Sequence, residues 1–224
     1  MEETRPLLIL RLEGALQSWG EGAKWDLRDT AAMPTKSGII GLLGCALGWP
    51  REDQRLVELS QAISLGVRAD RPGVWMMDYQ TITGDPLRNA EGKPRSLGNT
   101  FISRRGYLQD ASFLAVIAGD RETIERLAAA LRAPRWSVFL GRKNCVPSRP
   151  VLECVTEEYK DIPDALRRYP LAAHSTLPVS WECDVPGETQ ASYTRQDQCM
   201  PGYRQFARRR VWRGVWEGDG HVSD

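Results

Sequence analysis

The chain has 224 residues, of which 42% are apolar and 26% are charged, and its formal net charge is +1 at neutral pH. This balance is typical of a soluble globular protein large enough for one good core. The longest apolar run, Gly38–Trp49, is shorter than the ~18–20 residues that a membrane-spanning helix needs. The charged start, Met1–Arg5, predicts no signal peptide, and we therefore expect a cytoplasmic protein.

The first 50 residues predict a strand, a loop and a helix. Leu7–Leu12 is a compact apolar run, which indicates a central strand, and the polar stretch Gly14–Met33 indicates a loop. A helix is predicted from about Thr35 to about Gly48. Its glycines recur every three or four residues and share one face. We expect that face to pack closely on a sheet, because glycine is otherwise costly in a helix interior.

A second helix and a long hairpin follow. Asp53–Ala62 predicts a short helix, and Ile63–Arg68 predicts a second strand. Val74–Thr83 and Thr100–Gln109 are extended and flank the polar, Gly/Pro-rich stretch Gly84–Asn99. This pattern predicts a hairpin insertion with an irregular tip.

The remaining elements complete an α+β fold. Ser112–Ala118 predicts a strand, Asp120 is a good cap for the next helix, and Trp136–Leu140 predicts a further strand. Without the hairpin, the order is βαββαβ, the ferredoxin-like (RRM-like) arrangement of RNA-recognition domains. We expect residues 1–150 to form this domain, with the hairpin inserted at about 74–109, and residues 151–224 to form a small β-rich region. That region holds three short apolar runs: Val151–Val155, Leu177–Trp181 and Val211–Trp216.

Opposite charges are segregated along the chain. Arg126–Leu152 contains six basic residues and no acid, and Tyr203–Gly214 contains five arginines and no acid. Acids concentrate in Glu153–Asp164 and around Glu182–Glu188. The distribution predicts a basic face suited to a nucleic acid, although each basic run could instead be a solvated surface.

Two segments carry residues suited to phosphate. Thr35, Lys36 and Ser37 place hydroxyls, an ammonium group and free amides at a helix start, where a phosphate binds well. A plain helix cap with an exposed lysine is the alternative. After the strand ending at Leu140, the residues Arg142, Lys143 and Asn144 suit a contact with a nucleic-acid backbone.

Aromatic and hairpin residues add candidate contacts. Trp19, beside Gln17 and Ser18, could stack on an RNA base, or it could cover one end of the core. Arg104 and Arg105, late in the hairpin, could line the same groove or be exposed to solvent.

No catalytic or cofactor motif is present. The two histidines, His174 and His221, lack metal-ligand spacing, and no P-loop, nucleophile elbow or H-E-x-x-H motif occurs. Five scattered cysteines without C-x-x-C predict reduced thiols and no metal site: Cys45, Cys145, Cys154, Cys183 and Cys199. We therefore expect an RNA-binding protein without cofactor. A metal-independent endoribonuclease and a protein-binding scaffold are the alternative hypotheses.

Three motifs resemble those of the CasD family, RAMP-superfamily subunits of type I-E CRISPR Cascade complexes. They are L-R-L-x-G-x-x-Q-x-W-G at Leu10–Gly20, P-T-K-S-G-I-I-G-L-L-G at Pro34–Gly44 and F-L-G-R-K-N-C at Phe139–Cys145. The resemblance is good to about residue 150 and loose beyond it. It implies a ferredoxin-like palm with a thumb hairpin that caps the 5′ handle of a crRNA for antiviral defence.

The resemblance also implies partners and roles. A CasC-like backbone subunit and a CasA-like large subunit would adjoin the chain, and target DNA would be a further partner in the assembled complex. Related type I-C subunits cut RNA with a set of residues that includes Tyr, Lys and His. In this sequence, Arg142 and Lys143 are followed by Asn144 and not by a histidine. That difference implies a non-catalytic subunit. By motif position, the handle contacts are Gln17, Trp19, Lys36, Ser37, Arg142 and Lys143.

Overall fold

The computed structural model describes residues 5–21, 27–84, 86–88, 91–94, 100–175, 177–186, 191–202 and 205–218. These residues form a mixed α+β fold. The strands are β1 Leu7–Glu13, β2 Leu16–Gln17, β3 Leu27–Arg28, β4 Ser64–Arg71, β5 Val74–Thr83, β6 Thr100–Gln109, β7 Ser112–Ala118, β8 Leu152–Thr156, β9 Val179–Cys183, β10 Ser192–Cys199 and β11 Phe206–Trp216. The helices are α1 Lys36–Leu47, α2 Gln54–Ala62, α3 Arg121–Arg132 and α4 Ile162–Arg168.

A large antiparallel sheet organises the chain. Its seven strands have the order β10-β11-β9-β4-β7-β1-β8. The central β1 and β7 are buried along almost their whole length, as the apolar runs in the sequence predict. Helices α1 and α2 connect β1 to β4, and α3 connects β7 to β8. In the described residues, no helix has the length and apolar character needed to span a membrane.

The strand predicted at Trp136–Leu140 is wrong. The strand that completes this side of the sheet is β8, which pairs with β1. The backbone before it finds partners outside the sheet: the amide of Arg135 donates to the carbonyl of Ala46 at 2.8 Å, and that of Trp136 to the carbonyl of Cys45 at 3.1 Å. This segment therefore satisfies carbonyls at the C-terminal end of α1, which have no partners within the helix.

The residues after 150 extend the same sheet. Strand β9 pairs with β4, and β11 pairs with both β9 and β10. The short helix α4 and the strand β10 are absent from the sequence predictions. Neither has a strong apolar period, since β10 reads S-Y-T-R-Q-D-Q-C. The division near residue 150 thus marks a change in sequence pattern, whereas hydrogen bonds join strands from both sides of it.

The hairpin β5–β6 has the strand bounds that the sequence predicts. Its two strands pair in register from Val74 opposite Gln109 to Thr83 opposite Thr100. On its other edge, β6 pairs with β2 and, in parallel, with β3. Much of the predicted tip lies outside the described residues. The hairpin thus belongs to a second, four-stranded sheet that starts beside the core.

Helix α1 packs on the large sheet through its large side chains. Ile39, Ile40 and Leu43 are at most 1% exposed and belong to the main core. The expectation that the glycine face packs on the sheet is wrong. A β-carbon on Gly41 would meet nothing within 4 Å, and one on Gly38 would lie 2.8 Å from the ring of Trp19. The glycine face therefore points away from the sheet.

The opposite face of the sheet is covered by α4. Arg68 is completely buried there and forms an ion pair with Asp70 at 2.5 Å. It also donates to the carbonyls of Leu166 and Tyr169, at 2.5 and 2.9 Å, near the end of α4. One buried guanidinium thus supplies hydrogen bonds to carbonyls that the helix end leaves unpaired.

Two matched substitutions test the orientation of α1. We expect Gly41→Ala to stabilise the fold by up to about 1 kcal/mol, because alanine is the better helix former and the new methyl group meets open space. Gly38→Ala should destabilise it by about 1–3 kcal/mol, because the methyl group would overlap the buried Trp19. Urea unfolding gives both values. Equal effects of the two substitutions would contradict this orientation.

Candidate nucleic-acid interface

The first and third sequence motifs meet beside α1. The amide of Ser18 donates to the carbonyl of Leu140 at 3.0 Å, and its hydroxyl donates to the carbonyl of Gly106 at 3.2 Å. Gly141 has φ of +93°, and a β-carbon there would lie 1.7 Å from the carbonyl oxygen of Ser18. Only glycine permits this approach. The residues 139–145, which we call the 139–145 loop, therefore lie directly against β2 and the base of the hairpin.

Gln17 and Trp19 serve the fold. The side-chain amide of Gln17 donates to the carbonyls of Leu12 and Ala111, at 3.0 and 2.8 Å, and its oxygen accepts from the indole N–H of Trp19 at 3.1 Å. Trp19 is 1% exposed and lies in the main core. The hypothesis that Trp19 stacks on a base is therefore at odds with the structure, because its ring has no free face. The alternative, a tryptophan covering the core, matches its place.

The start of α1 already holds an anion. Thr35 caps the helix by accepting from the amide of Gly38 at 3.1 Å, and Ser37 donates to the hydroxyl of Thr35 at 3.4 Å. The amide of Lys36 donates to Asp197 at 2.8 Å, and its ammonium group donates to Asp184 at 2.9 Å. Carboxylates of the protein thus take the place predicted for a phosphate. The predicted phosphate contact at Lys36 is corrected to a buried ion pair, since the side chain is 6% exposed.

Arg209 completes this buried charge network, which we define as Lys36, Asp184, Asp197 and Arg209. The guanidinium of Arg209 forms ion pairs with both aspartates. Burial alone would raise the pKa of Asp197, but hydrogen bonds and attraction from Arg209, and the amide of Lys36, lower the pKa overall. The network joins the start of α1 to the C-terminal strands. It also takes one arginine of the C-terminal basic run out of solvent.

In the 139–145 loop, Arg142 is largely engaged by the protein. Its guanidinium donates to the carbonyls of Gly106, Arg28 and Asp29 at 3.1, 2.7 and 3.2 Å, and it lies 4.7 Å from the ring centre of Tyr107. Arg142 therefore holds β3 against the base of the hairpin. This geometry corrects the expectation of a free phosphate-binding arginine, because its donors are already shared among three carbonyls.

Lys143 and Asn144 lie at the surface of the same loop. Asn144 is exposed and donates to the hydroxyl of Tyr107 at 3.0 Å. Lys143 is also exposed, and no acidic partner lies within ion-pair distance of it in the part of the chain that the structure describes. Of the two cations in this motif, Lys143 is the one with a free ammonium group.

Arginines lie on both faces of strand β6, because the consecutive residues Arg104 and Arg105 point to opposite sides of it. Arg104 is exposed beside the ring of Tyr79, at 5.7 Å, and Arg105 donates to Ser103 at 3.2 Å. Strand β3 places Arg28 next to Arg105 in parallel register. On the other side of Arg105, Asp78 of β5 lies directly opposite it, so the two arginines share one acidic neighbour within the hairpin. No local pattern indicates Arg28, because its neighbour is 77 residues away along the chain.

An open cleft of about 1260 Å³ runs along the glycine face of α1. Gly38, Gly41 and Gly44 form its floor, and the 136–143 segment forms one wall with Trp136 and Lys143. The other wall is formed by residues beyond the end of β10 and at the start of β11: Met200, Pro201, Gly202, Gln205 and Phe206. Trp136 lines the cleft and is 44% exposed, so part of an aromatic residue is accessible there. The sequence prediction missed this residue because it placed Trp136 inside a strand.

The cleft holds no activated nucleophile among its cysteines. Cys45 and Cys199 both line it, and burial raises the pKa of each thiol. Both are therefore neutral at pH 7, and thiolate is the reactive form. His174 lies on an exposed turn with φ of +61°, and His221 lies outside the described residues. Among the residues described, no group of three or more His, Cys, Asp or Glu side chains could hold a metal ion.

Comparison with known families agrees with the three motifs. The family model described as "CRISPR-associated protein (Cas_Cas5)" matches residues 7–218. The chain belongs to the Cas5 family of CRISPR-associated proteins. A curated relative, "CRISPR system Cascade subunit CasD" of Escherichia coli (strain K12), is 35% identical over 161 residues, which cover 66% of this chain and 70% of the relative.

Two solved structures resemble this Cas5 chain over nearly its whole length. One, described as "CRISPR RNA-guided surveillance complex", has a TM-score of 0.74 at 28% identity and covers 95% of this chain and 90% of its own. The other, described as "Crystal structure of Cas protein", has a TM-score of 0.62 at 32% identity and covers 94% and 95%. The mixed α+β architecture is thus shared with proteins of this kind.

The buried charge network gives a pH-dependent prediction for this Cas5 protein. Asp197→Asn should cost about 3–5 kcal/mol at pH 7, because it leaves the buried guanidinium of Arg209 short of a counter-charge and weakens the acceptor for the backbone amide of Lys36. Since the pKa of Asp197 is lowered in the fold, its stabilising contribution is present above the ordinary value of ~3.9 and is lost as the pH falls below it. Urea unfolding of both proteins at several pH values measures this.

The difference between wild type and Asp197→Asn should therefore shrink as the pH falls from 7 towards 3. Glu52→Gln is the control, because Glu52 is an exposed acid. A variant as stable as the wild type at pH 7 would show that the network does not support the fold.

Proposed function

We propose that this Cas5 chain is a non-catalytic RNA-binding subunit of a type I-E CRISPR surveillance complex and that it caps the 5′ handle of the crRNA. The relative in Escherichia coli is named as a Cascade subunit, and one similar structure is described as an RNA-guided surveillance complex. On this proposal β1, β4, β7 and β8 with α1 and α3 are the ferredoxin-like palm, and the hairpin β5–β6 is its thumb.

The observation that carries the proposal is a continuous basic path from the cleft to the thumb. Lys143 lines the cleft, and its neighbour Arg142 contacts the carbonyls of Arg28 and Gly106 at the base of the thumb. Arg28 and Arg105 then lie side by side on neighbouring strands. A single strand that follows this path would meet Lys143 in the cleft and then Arg28 and Arg105, while Arg142 holds the two parts of the path together from within the protein.

The cleft suits bases that leave the stack. Its glycine floor carries no side chain, and Trp136 offers a ring face at its wall. Single-stranded RNA is commonly bound in this way, with the backbone on cations and unstacked bases against aromatic rings. We therefore assign the stacking role, which the sequence suggested for Trp19, to Trp136.

The outer face of the thumb suits a protein partner. Trp75 and Tyr79 are each 55% exposed, and Ile102, which shares their face, is 41% exposed. Exposed aromatic residues on one strand face are typical of interface anchors. We propose that a CasC-like backbone subunit covers this face, with a CasA-like subunit and target DNA as further neighbours in a cytoplasmic complex.

Salt dependence tests the backbone contact. Lys143→Gln should flatten the slope of log K against log salt for a handle RNA by about 0.7, the value for one phosphate contact on a single strand. The loss of affinity should be similar for a scrambled RNA, because a phosphate contact does not read sequence. Fluorescence anisotropy measures both. An unchanged slope would mean that Lys143 does not meet the RNA.

A second variant tests the cleft itself. Gly41→Gln places a side chain on the exposed floor, where nothing lies within 4 Å of the new β-carbon. It should weaken RNA binding without changing the salt slope or lowering thermal stability. Ala129→Gln, on the exposed side of α3, is the matched control. Wild-type affinity of the Gly41 variant would place the RNA outside the cleft.

A cleavage assay separates this proposal from an endoribonuclease. We expect a CRISPR repeat RNA to remain intact with the purified protein, with or without a divalent metal. The physical reason is that the cysteines lining the cleft are neutral thiols and that Asn144, an amide without proton-transfer capacity, follows the two cations. Denaturing gels give the result. Cutting at one phosphodiester that His174→Ala abolishes would support the enzyme instead.

A further inference from the structure

The C-terminal arginine run is split between two faces of one strand. Along β11, Arg209 and Val211 face inward, where Arg209 meets Asp184 and Asp197. Arg208 and Arg210 alternate with them and are exposed. Strand side chains point to opposite faces in turn, so these two arginines share the outward face.

The neighbouring strand contributes neutral donors to the same face. Thr194 lies opposite Arg210, and Ser192 lies opposite Trp212, in the antiparallel pairing of β10 and β11. Residues directly opposite in such a pair share a face. Ser192 and Thr194 are exposed and Trp212 is half-buried. These five side chains, which we call the outer strip, contain two cations, two hydroxyls, one indole and no acid.

The cations of the outer strip are available. Neither Arg208 nor Arg210 has an acidic side chain within ion-pair distance among the residues that the structure describes. Residues two apart on a strand are separated by roughly 7 Å, so the guanidinium groups form a short row of positive charge.

We infer that the outer strip binds the phosphate backbone of a single-stranded nucleic acid, at a site separate from the cleft. Arginine, serine and threonine are the side chains that commonly donate to phosphates. An aromatic ring on an open sheet face adds a platform for a base, as in sheet-based recognition of single strands. An acidic protein segment would use the cations but would leave the indole without a role.

The two sites lie on opposite sides of the C-terminal hairpin. The inner face of β10 contacts α1 and α2, where Gln198 donates to Ser60 at 2.8 Å and Asp197 accepts from Lys36. The cleft is on that side, because α1 forms its floor. A strand in the cleft therefore does not cover the outer strip, and the inference does not depend on the handle being bound in the cleft.

Paired charge removal tests the outer strip. Arg208→Gln with Arg210→Gln is compared with Arg5→Gln with Arg132→Gln, which removes two exposed arginines elsewhere. The probes are fluorescein-labelled 20-nucleotide oligouridine and oligothymidine, titrated by anisotropy between about 50 and 200 mM salt. The outer-strip variant should flatten the slope of log K against log salt by about 1.4, and the control variant should not.

The measurement is repeated in the Lys143→Gln background, which lacks the cation proposed to bind RNA in the cleft. A change of slope that persists there comes from the outer strip and not from the cleft. Equal losses of affinity for RNA and DNA support binding to the phosphate backbone of either nucleic acid. A loss of affinity for only one of them identifies that nucleic acid as the ligand. An unchanged slope, or an equal change in the control, would overturn the inference. The inference would also be overturned if the double substitution weakened the binding of polyglutamate but left the binding of both oligonucleotides unchanged.

Trp212 gives an independent readout. Trp212→Leu should weaken binding about 5- to 150-fold without altering the salt slope, because stacking carries no net charge. If this variant fails to fold, the wild-type protein can be tested instead. It is cross-linked to oligothymidine by ultraviolet light, and the cross-linked peptides are identified by mass spectrometry. Cross-links in the 206–216 peptide are expected. Cross-links confined to peptides that line the cleft would overturn the assignment.

Discussion

The buried charge network at the start of α1 is the interaction on which the functional surfaces depend. Asp197 accepts from the first-turn amide of the helix and from Arg209, and Asp184 accepts from the ammonium group of Lys36. Removing such charges from water costs several kcal/mol per ion, so the pairs contribute little net stability over an apolar substitute. What they supply is position. The geometry satisfies all four charges only when α1 and the C-terminal strands are in one arrangement.

That arrangement sets the shape of the cleft. One of its walls comes from residues 200–202, 205 and 206, at the ends of β10 and β11, and its floor is α1, so a shift between these strands and α1 would close or widen it. The other wall is held separately, by Gly141 against Ser18 and by Arg142 across three carbonyls. The buried residues of the three motifs therefore fix the positions of the elements around the cleft. Residues outside the motifs, such as Trp136, contribute to its surface.

The division of roles between neighbouring residues recurs through the chain. Arg142 is held by the fold while Lys143 is free, and Arg209 is buried between two exposed arginines. In each case the backbone places adjacent side chains on opposite sides, so one basic run serves both packing and surface charge. A near-neutral chain can thus carry two separate basic surfaces, one leading from the cleft to the hairpin β5–β6 and one on the outer strip.

Local patterns predicted much of the framework. The run at Leu7–Leu12, the helix from Thr35 to Gly48 and the cap at Asp120 follow from apolar period and capping chemistry, which act over a few residues. The strand bounds of the hairpin follow in the same way. The strand predicted at Trp136–Leu140 failed because its backbone partners are carbonyls of α1, about 90 residues earlier in the chain, and no local period reports them.

The chemistry of the candidate site divides along the same line. The sequence by itself determined the family, through three motifs, and it proposed Lys143, Asn144, Arg104 and Arg105 as RNA contacts. Of these four residues, Arg105 is half-buried and the others are exposed. Only the tertiary structure decided that Lys36 faces aspartates, that Trp19 is in the core, and that Arg28 and Trp136 border the proposed RNA path. The physical reason is that the availability of a side chain depends on partners distant in sequence. Residue type and spacing specify what a group can bind, whereas the fold decides whether another part of the protein has already bound it.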